Sequence, residues 1–519
     1  MQVVDNKAVL IRTRYPEKIT SVIPKSKVVE AIPGGAVVAV FLGLEEMRVL
    51  RNLGFKAPSP IEHRYGWPGR FQPMAHQRTT AAFCTLNPRG FVFNEPGTGK
   101  TMSVAWAADY LMTRGLVRRV LVICPVSIMY SAWMADLQTA VVHRSAAVAH
   151  HSKPQRRVEI VKGDYEFIIT NYEGVELIGH AVRSDGRFDL VIVDEANAYK
   201  NPQTRRWKAL NSILQPTTML WMMTGTPAAQ SPVDAYGLAR LVNPNGVPKF
   251  ATAWRDKVMN KVTQFKWVPK ADAKKQVLEA LQPAIRFAKK DCMDLPPVVT
   301  VTREVALTAQ QAKYYKLIKE QMLAQASGVT ITAVNAGVMV SKLLQISCGA
   351  AYSEGGETVV FDAKPRLNEL LEVVEETDRK VIVFAMFRSS MDAICEHLNK
   401  NGINTAQIHG DVTPSKRGEI IEDFQRLENV RVLVMQPQAT AHGITLTAAD
   451  NVVFFGPLMS VEQYLQCIAR ADRKGQTADK VTVTHIQSSP IEVKMFKALQ
   501  GKVTDHSLLV DCFSDELGL

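Results

Sequence analysis

Short apolar runs bounded by turn residues recur along this chain in two separate series, and they constrain its fold more than any other feature. The first series is FVFN (91–94), VLVICP (120–125), FIITNY (167–172), LVIVDE (190–195) and MLWMMTGTP (219–227). Helical stretches lie between them; TMSVAWAADYLMTRG (101–115), for instance, closes on Gly115, a helix stop signal. Near-continuous apolar strands alternating with helices predict a parallel sheet covered on both faces. The second series repeats the pattern with VIVFAMF (381–387), TAQIHG (405–410), RVLVMQP (431–437), NVVFFGP (451–457) and KVTVTHI (480–486). The predicted fold class is therefore α/β, with parallel-sheet domains at 70–245 and 363–519. Residues 246–362 read as a mostly helical, polar insertion or linker, as in AQQAKYYKLIKEQMLAQAS (309–327). Residues 1–69 read as a small mixed accessory module with a strand at 36–42 and a helix at 44–55.

The formal charge of +12 makes a polyanionic partner plausible, and its distribution says where. Residues 1–70 carry 11 basic and 6 acidic side chains, 71–248 carry 18 and 13, 249–290 carry 11 and 3, and 291–519 carry 22 and 28. The excess is confined to the first 290 residues, which predicts that the salt-sensitive grip on that partner lies there. The 7 cysteines form no CxxC pair, which argues against a zinc site or disulfide framework and fits a reducing cytosol. The longest apolar run, AVVAVFLGL (36–44), is under half the roughly 20 residues of a membrane-spanning helix, and MQVVDNKAVLIRTR has no signal-peptide core. The expectation is a soluble cytoplasmic protein, monomeric and without a membrane partner.

The sharpest local signal is NEPGTGKT, Asn94 to Thr101, which follows a strand and opens a helix. Gly97 and Gly99 would let backbone N–H groups approach a polyphosphate, Lys100 would neutralise its β/γ oxygens, and the Thr101 hydroxyl can hold Mg²⁺. Glu95 and Thr98 complete the candidate loop, whose usual small first residue is Asn94 here. Farther on, the strand LVIV ends in Asp194 and Glu195, at the carboxyl end of a parallel strand, where α/β sheets place ligands. Asp194 would bind Mg²⁺ through water, and Glu195 would orient and deprotonate an attacking water. Positive charge on the leaving group would come from YLQCIARADRKGQ (464–476). Read as a helix, this segment puts Gln466, Arg470 and Arg473 on one face, with the two arginines as fingers reaching across a cleft.

This motif series resembles superfamily 2 helicases, and specifically Swi/Snf-type DNA translocases, over about residues 71–476. QPMAHQ, carrying Gln77, is similar to the adenine-reading Gln motif. VLVICP (120–125) and TNYEG (170–174) resemble the DNA-contacting motifs of the first domain, and TGTPAAQ (224–230) the coupling motif. LLQISCG (343–349), HGDVTPSKR (409–417), GITLTAAD (443–450) and RADRKGQ (470–476) fit the same template. The departures are Asn197 where the family commonly has His, Gln230 and Thr445 where it has Asn, and Thr440 and Ala441 in place of a Gly pair. Compact length and the HGIT variant (442–445) resemble bacteriophage-encoded members.

The resemblance implies two RecA-like domains, ATP and Mg²⁺ as cofactors, Gln466 as part of the nucleotide site, and duplex, forked or branched DNA as partner. It places Thr170, Asn171, Thr226 and Thr445 on the DNA surface. The implied activity is ATP-dependent DNA translocation in fork remodelling, branch migration or protein displacement. Two rivals stand beside it: a strand-separating helicase, and an ATP-gated DNA clamp without sustained turnover, which the altered residues Asn197 and Thr445 favour.

Residues 249–290 add a second nucleic-acid signal, because eleven Lys/Arg interleave with Phe250, Trp254, Phe265, Trp267 and Phe287. Lys270, Lys274 and Lys275 are the candidate phosphate contacts; the alternative is a solvated basic face over aromatic core residues. The His150–His151 pair reads as a surface turn.

Overall fold

The computed structural model describes residues 1–225, 231–263, 267–292, 295–326, 333–352, 358–427, 429–439, 444–473 and 475–501. The chain divides into two compact units, the first ending at Cys292 and the second starting at Met293, with a short exchange at 229–231.

The first unit opens with an antiparallel sheet of β1 (Gln2–Val4), β2 (Ala8–Thr13), β3 (Lys27–Ile32) and β4 (Gly35–Phe41), in the order β1-β2-β4-β3. The sequence signalled only β4 and the following helix Leu44–Asn52. The other strands are short, and β3 is exposed along nearly its whole length, so it carries no apolar alternation. Val9, Ile11, Val38 and Val40 of this sheet join Trp106, Val122 and Ile192 in one continuous core, so the module is packed onto the domain that follows it.

That domain is a seven-stranded sheet in the order β13-β5-β10-β9-β6-β8-β7, and every pairing is parallel. Its strands are β5 (Arg89–Val92), β6 (Arg119–Ile123), β7 (Ala146–Val148), β8 (Phe167–Thr170), β9 (Phe188–Val193) and β10 (Met219–Met223), with β13 (Ala284–Ile285) arriving late in the chain. Alternate side chains enter opposite cores: Val120, Val122, Leu190 and Ile192 on one face, Leu121, Ile123, Val191 and Val193 on the other. Burial on both faces is what made these strands near-continuous apolar runs.

The second unit is a six-stranded parallel sheet in the order β14-β21-β20-β17-β19-β18. It comprises β14 (Val298–Glu304), β17 (Lys380–Phe384), β18 (Thr405–Ile408), β19 (Val432–Met435), β20 (Ala449–Phe454) and β21 (Val481–Gln487). Ile382 and Phe384 enter one core, Val381 and Val383 the other.

The segment read as mostly helical differs from that reading. Its helices Ala309–Ala326 and Ala333–Ser347 are present, but it also gives β13 to the first sheet, β14 to the second, and the hairpins β11 (Met259–Lys261) with β12 (Trp267–Pro269) and β15 (Ala350–Tyr352) with β16 (Thr358–Val360). β13 spans two residues, and β14 is largely exposed, so neither shows a strand period. Among the described residues no helix is long and apolar enough to cross a membrane.

Candidate active site

β5 delivers the chain into the loop Asn94–Gly99, which the helix Lys100–Thr113 follows. Gly97 and Gly99 have φ of 88° and 75°, left-handed values that L side chains resist. A Cβ on Gly99 would stand 2.1 Å from Gln77 Nε2, so a side chain there would have to displace the Gln77 amide as well as adopt the left-handed φ. Gln77 is pinned at both ends of its amide: Oε1 accepts the Met74 N–H at 2.9 Å and Nε2 donates to Thr98 O at 3.4 Å. His76 Nε2 donates to the same carbonyl at 2.9 Å, which fixes its tautomer. Lys100 Nζ donates to the carbonyls of Asn94 and Glu95 at 3.0 and 3.4 Å, and the Thr98 hydroxyl donates to Glu95 O at 2.9 Å. Thr101 is the half-buried second residue of the helix.

Asn94 is fully buried; its amide donates to Thr80 Oγ1 at 2.8 Å and accepts the Phe287 N–H at 3.0 Å. Glu95 turns its carboxylate to the Lys289 N–H at 3.0 Å and to Arg286 at 3.6 Å.

Two strands away, β9 ends in the acid pair. Asp194 is 7% exposed; its Oδ2 accepts from the Trp133 indole at 3.0 Å and its Oδ1 from the Glu195 N–H at 3.0 Å. Glu195 sits at φ 48°, ψ 57°, a left-handed conformation that is strained for a residue with a Cβ. The Tyr172 hydroxyl donates to the carbonyls of Asp194 and Glu195 at 2.9 and 3.3 Å. Burial, then the charges of Asp194 and Glu195, push the Tyr172 phenol well above its usual range, so it keeps the proton it donates. Sequence reasoning missed Trp133, Tyr172 and His76. The signal for Trp133 was structural: it lies in a π-helical turn, Met129–Met134, a feature that recurs at functional sites.

β10 lies between β5 and β9, so all three carboxyl ends share one edge of the sheet. A Cβ on Gly225, just after β10, would meet Pro96 Cδ at 2.8 Å, so the chain leaving β10 lies against the phosphate loop at Gly225. Thr226 and Gln230 lie outside the described residues, as do Phe265, Thr440, Ala441 and His442. Thr170 is fully buried and its hydroxyl donates to Ala149 O at 3.2 Å, so it faces the interior rather than a surface. Asn171, 7% exposed, accepts from Arg157 Nη1 and donates to Glu173, both at 2.9 Å.

In the second unit the expected helix over 464–476 is shorter. It spans Val461–Ile468, so Gln466 is helical while Arg470 and Arg473 follow in turns. There the chain folds back, the Leu446 N–H bonding to Arg470 O at 2.9 Å, and both arginines donate from Nη1 to Ile444 O, at 3.4 and 3.2 Å. They are brought together by a shared carbonyl next to the half-buried Thr445, not by a helix face. Gln466 Nε2 donates to Glu462 at 3.4 Å.

The basic segment divides. Trp254 is core, Trp267 lies under Arg255 at 4.3 Å, and Phe250 is 65% exposed. Lys270 Nζ donates to Asp256 O at 2.6 Å, whereas Lys274 and Lys275 are exposed on the helix Ala273–Ala280. His151 Nδ1 accepts the Lys153 N–H at 2.9 Å, a turn contact, and among the described residues no His/Cys/Asp/Glu group could hold a metal ion in the manner of a dedicated cluster.

A glycine-bearing loop and an acid pair on the carboxyl edge of one parallel sheet, with a second parallel-sheet unit in the same chain, are the parts of a two-domain helicase-type core. Residues 36–348 match the SNF2-related domain and residues 364–475 the helicase conserved C-terminal domain. The chain belongs to the SNF2-related family, the Swi/Snf type of superfamily 2. It is 24% identical over 463 residues to the CHD3-type chromatin-remodeling factor PICKLE of Arabidopsis thaliana, covering 80% of this chain and 32% of that protein. It is 26% identical over 402 residues to a Caenorhabditis elegans homolog of SWI/SNF-related matrix-associated actin-dependent regulator of chromatin subfamily A-like protein 1, covering 76% and 55%. The chain thus spans a third to about a half of the length of these relatives. A solved Sulfolobus solfataricus SWI2/SNF2 ATPase core in complex with dsDNA is 22% identical, with TM-score 0.42, covering 87% of this chain and 95% of that one.

Proposed function

We propose that the protein is an ATP-dependent translocase that moves along duplex or branched DNA as a monomer, in fork remodelling, branch migration or protein displacement. The observation that carries the reading is the meeting of the phosphate loop after β5, Gly225 after β10 and the Asp194–Glu195 pair after β9 on one sheet edge. Lys100 takes the β/γ oxygens of ATP in place of the Asn94 and Glu95 carbonyls, and Gln77 stands against the loop where an adenine edge would be read. Thr101 and Asp194 would hold Mg²⁺, which when bound shields phosphate charge. Glu195 accepts the proton of the attacking water as the bond from the γ-phosphorus to the ADP oxygen breaks, and Arg470 and Arg473 neutralise the charge that develops. Fit supports this assignment: the loop turns on two glycines at left-handed φ, and the Asp194 carboxylate is oriented by an indole N–H.

Movement follows if ATP draws contacts from both parallel-sheet domains, taken as 70–245 and 363–519, and hydrolysis releases them. Backbone phosphates, more than bases, would be gripped.

The test is ATPase activity of wild type and Glu195→Gln on single-stranded, duplex, forked and four-way DNA, together with triplex displacement. Wild type should be stimulated by duplex or branched DNA and displace the triplex, with Glu195→Gln nearly inactive though still binding ATP. Equal rates in both proteins would remove Glu195 from catalysis, and strand release from forks without triplex displacement would favour a strand-separating helicase.

A further inference from the structure

The pairing of β5 with β13 does not end where the strands end. The N–H groups of Phe91, Phe93 and Glu95 donate in turn to the carbonyls of Pro283, Ile285 and Phe287 at 2.9, 2.8 and 3.0 Å, so the ladder runs into the phosphate loop. Return bonds come from side chains: the Phe287 N–H goes to Asn94 Oδ1 and the Lys289 N–H to Glu95 Oε2, each at 3.0 Å. The Asn94 carbonyl, like that of Glu95, accepts from Lys100 Nζ, so each residue serves the lysine with its main chain and the 286–289 segment with its side chain. A smaller residue at 94, as the usual loop pattern has, would leave the half-buried Phe287 N–H without this acceptor.

One residue pair therefore holds the loop lysine through its carbonyls and residues 286–289 through its side chains. Four residues beyond Lys289, the chain passes into the second unit at Met293. A triphosphate that draws the Lys100 ammonium onto its oxygens takes away both carbonyl contacts, and the side-chain half of the latch must respond.

We propose that Asn94 and Glu95 are positioning residues that transmit the state of the phosphate loop to the connection at 286–292. The inference rests on the ATPase reading and adds the route by which nucleotide occupancy leaves the site.

Hydrogen exchange on the full-length chain tests it, with the Phe287 and Lys289 amides followed with and without a non-hydrolysable ATP analogue and Mg²⁺. Binding is measured in the same samples with a fluorescent nucleotide. In wild type the analogue should shift exchange at these amides by about threefold or more. Asn94→Ala should lose the response at Phe287, and Asn94→Asp, which keeps the oxygen acceptor, should restore it; a purely structural residue would not give a nucleotide-dependent rescue. Glu95→Ala gives an independent readout at Lys289. Saturating analogue that leaves both amides unchanged in wild type, or an undiminished response in both alanine variants, would overturn the proposal while leaving the ATPase reading intact. No analogue binding at all would overturn that reading, and this one with it.

Discussion

The Trp133 indole N–H donates to Asp194 Oδ2 at 3.0 Å, from a ring that is fully buried against the sheet. The bond fixes one carboxylate oxygen and leaves the other beside the Glu195 N–H, so the acid at the end of β9 has a single orientation. Outer partners of this kind cost roughly 10–100-fold in metal affinity or activity when removed. Trp133→Phe keeps most of the packing and deletes the donor. DNA-stimulated ATPase titrated with Mg²⁺ should show a higher Mg²⁺ requirement and a turnover lowered within that range; a wild-type Mg²⁺ curve would show that the indole orients nothing.

Gly99 makes the stricter demand. Any side chain there must accept φ 75° and displace the Gln77 amide, which a Cβ would approach to 2.1 Å. The left-handed backbone alone costs an L residue about 1–2 kcal/mol. Gly99→Ala should weaken binding of a fluorescent ATP analogue by about 5- to 30-fold at that cost, with little change in far-UV circular dichroism. Unaltered binding would mean that the loop admits nucleotide by another geometry.

These two residues also show how far the sequence could be read. Gly99 and Lys100 were legible because a phosphate loop is a local device, written in consecutive residues between a strand and a helix. Asp194 and Glu195 were legible from their place at the end of an apolar run. Trp133, Tyr172 and His76 were not, since each acts through a tertiary contact with a residue at least 22 positions away. The same reason hid β13, whose two residues become a strand only by pairing with β5. For Arg470 and Arg473 periodicity predicted one helix face, and a shared carbonyl at Ile444 joins them instead.

In the second unit Arg366 and Glu492 form an ion pair at 2.7 Å with side chains 2% and 0% exposed. Arg366 also donates to Phe455 O and Ile486 O, and Glu492 takes the Ser488 and Ser489 N–H groups. Burial lowers and Glu492 raises the affinity of Arg366 for its proton, and the balance lies above the ordinary value. Removing one partner strands the other charge, so Glu492→Ala should destabilise this unit by about 3–5 kcal/mol. Glu492→Gln, which keeps an acceptor oxygen, should cost less. Hydrogen exchange of peptides from β17 and β20 under denaturant provides the measurement; wild-type stability in both variants would refute the charge argument.

His485 lies fully buried on β21, its Nε2 3.0 Å from the Tyr464 hydroxyl and its ring stacked on Phe496 at 4.1 Å. Burial holds its pKa down to about 4. Because the folded value lies below the unfolded one, near 6.5, the unfolded chain binds the extra proton between those values. Stability therefore falls as pH drops through that window and is insensitive to His485 above it. The expected loss from this group between about pH 7 and about pH 5 is on the order of 2 kcal/mol. His485→Gln should flatten that part of the stability profile of the second unit, and a slope that persists unchanged would assign the acid sensitivity elsewhere.

Lys274 and Lys275 decide whether the basic segment grips DNA. Lys270 Nζ is bonded to Asp256 O, while these two project from an exposed helix face with Leu278 beside them at 56% exposure. Each phosphate contact contributes about 0.9 to the slope of log K against log salt on duplex DNA. If both lysines touch phosphates, the double variant Lys274→Ala/Lys275→Ala should flatten that slope by roughly 2 and weaken binding most at low salt. Basal ATPase without DNA should stay at the wild-type rate, since neither side chain belongs to the nucleotide site. Binding isotherms at several salt concentrations separate the alternatives: parallel lines for the two proteins would make this face a solvated surface, and the positive charge of the first unit would have to act through other side chains.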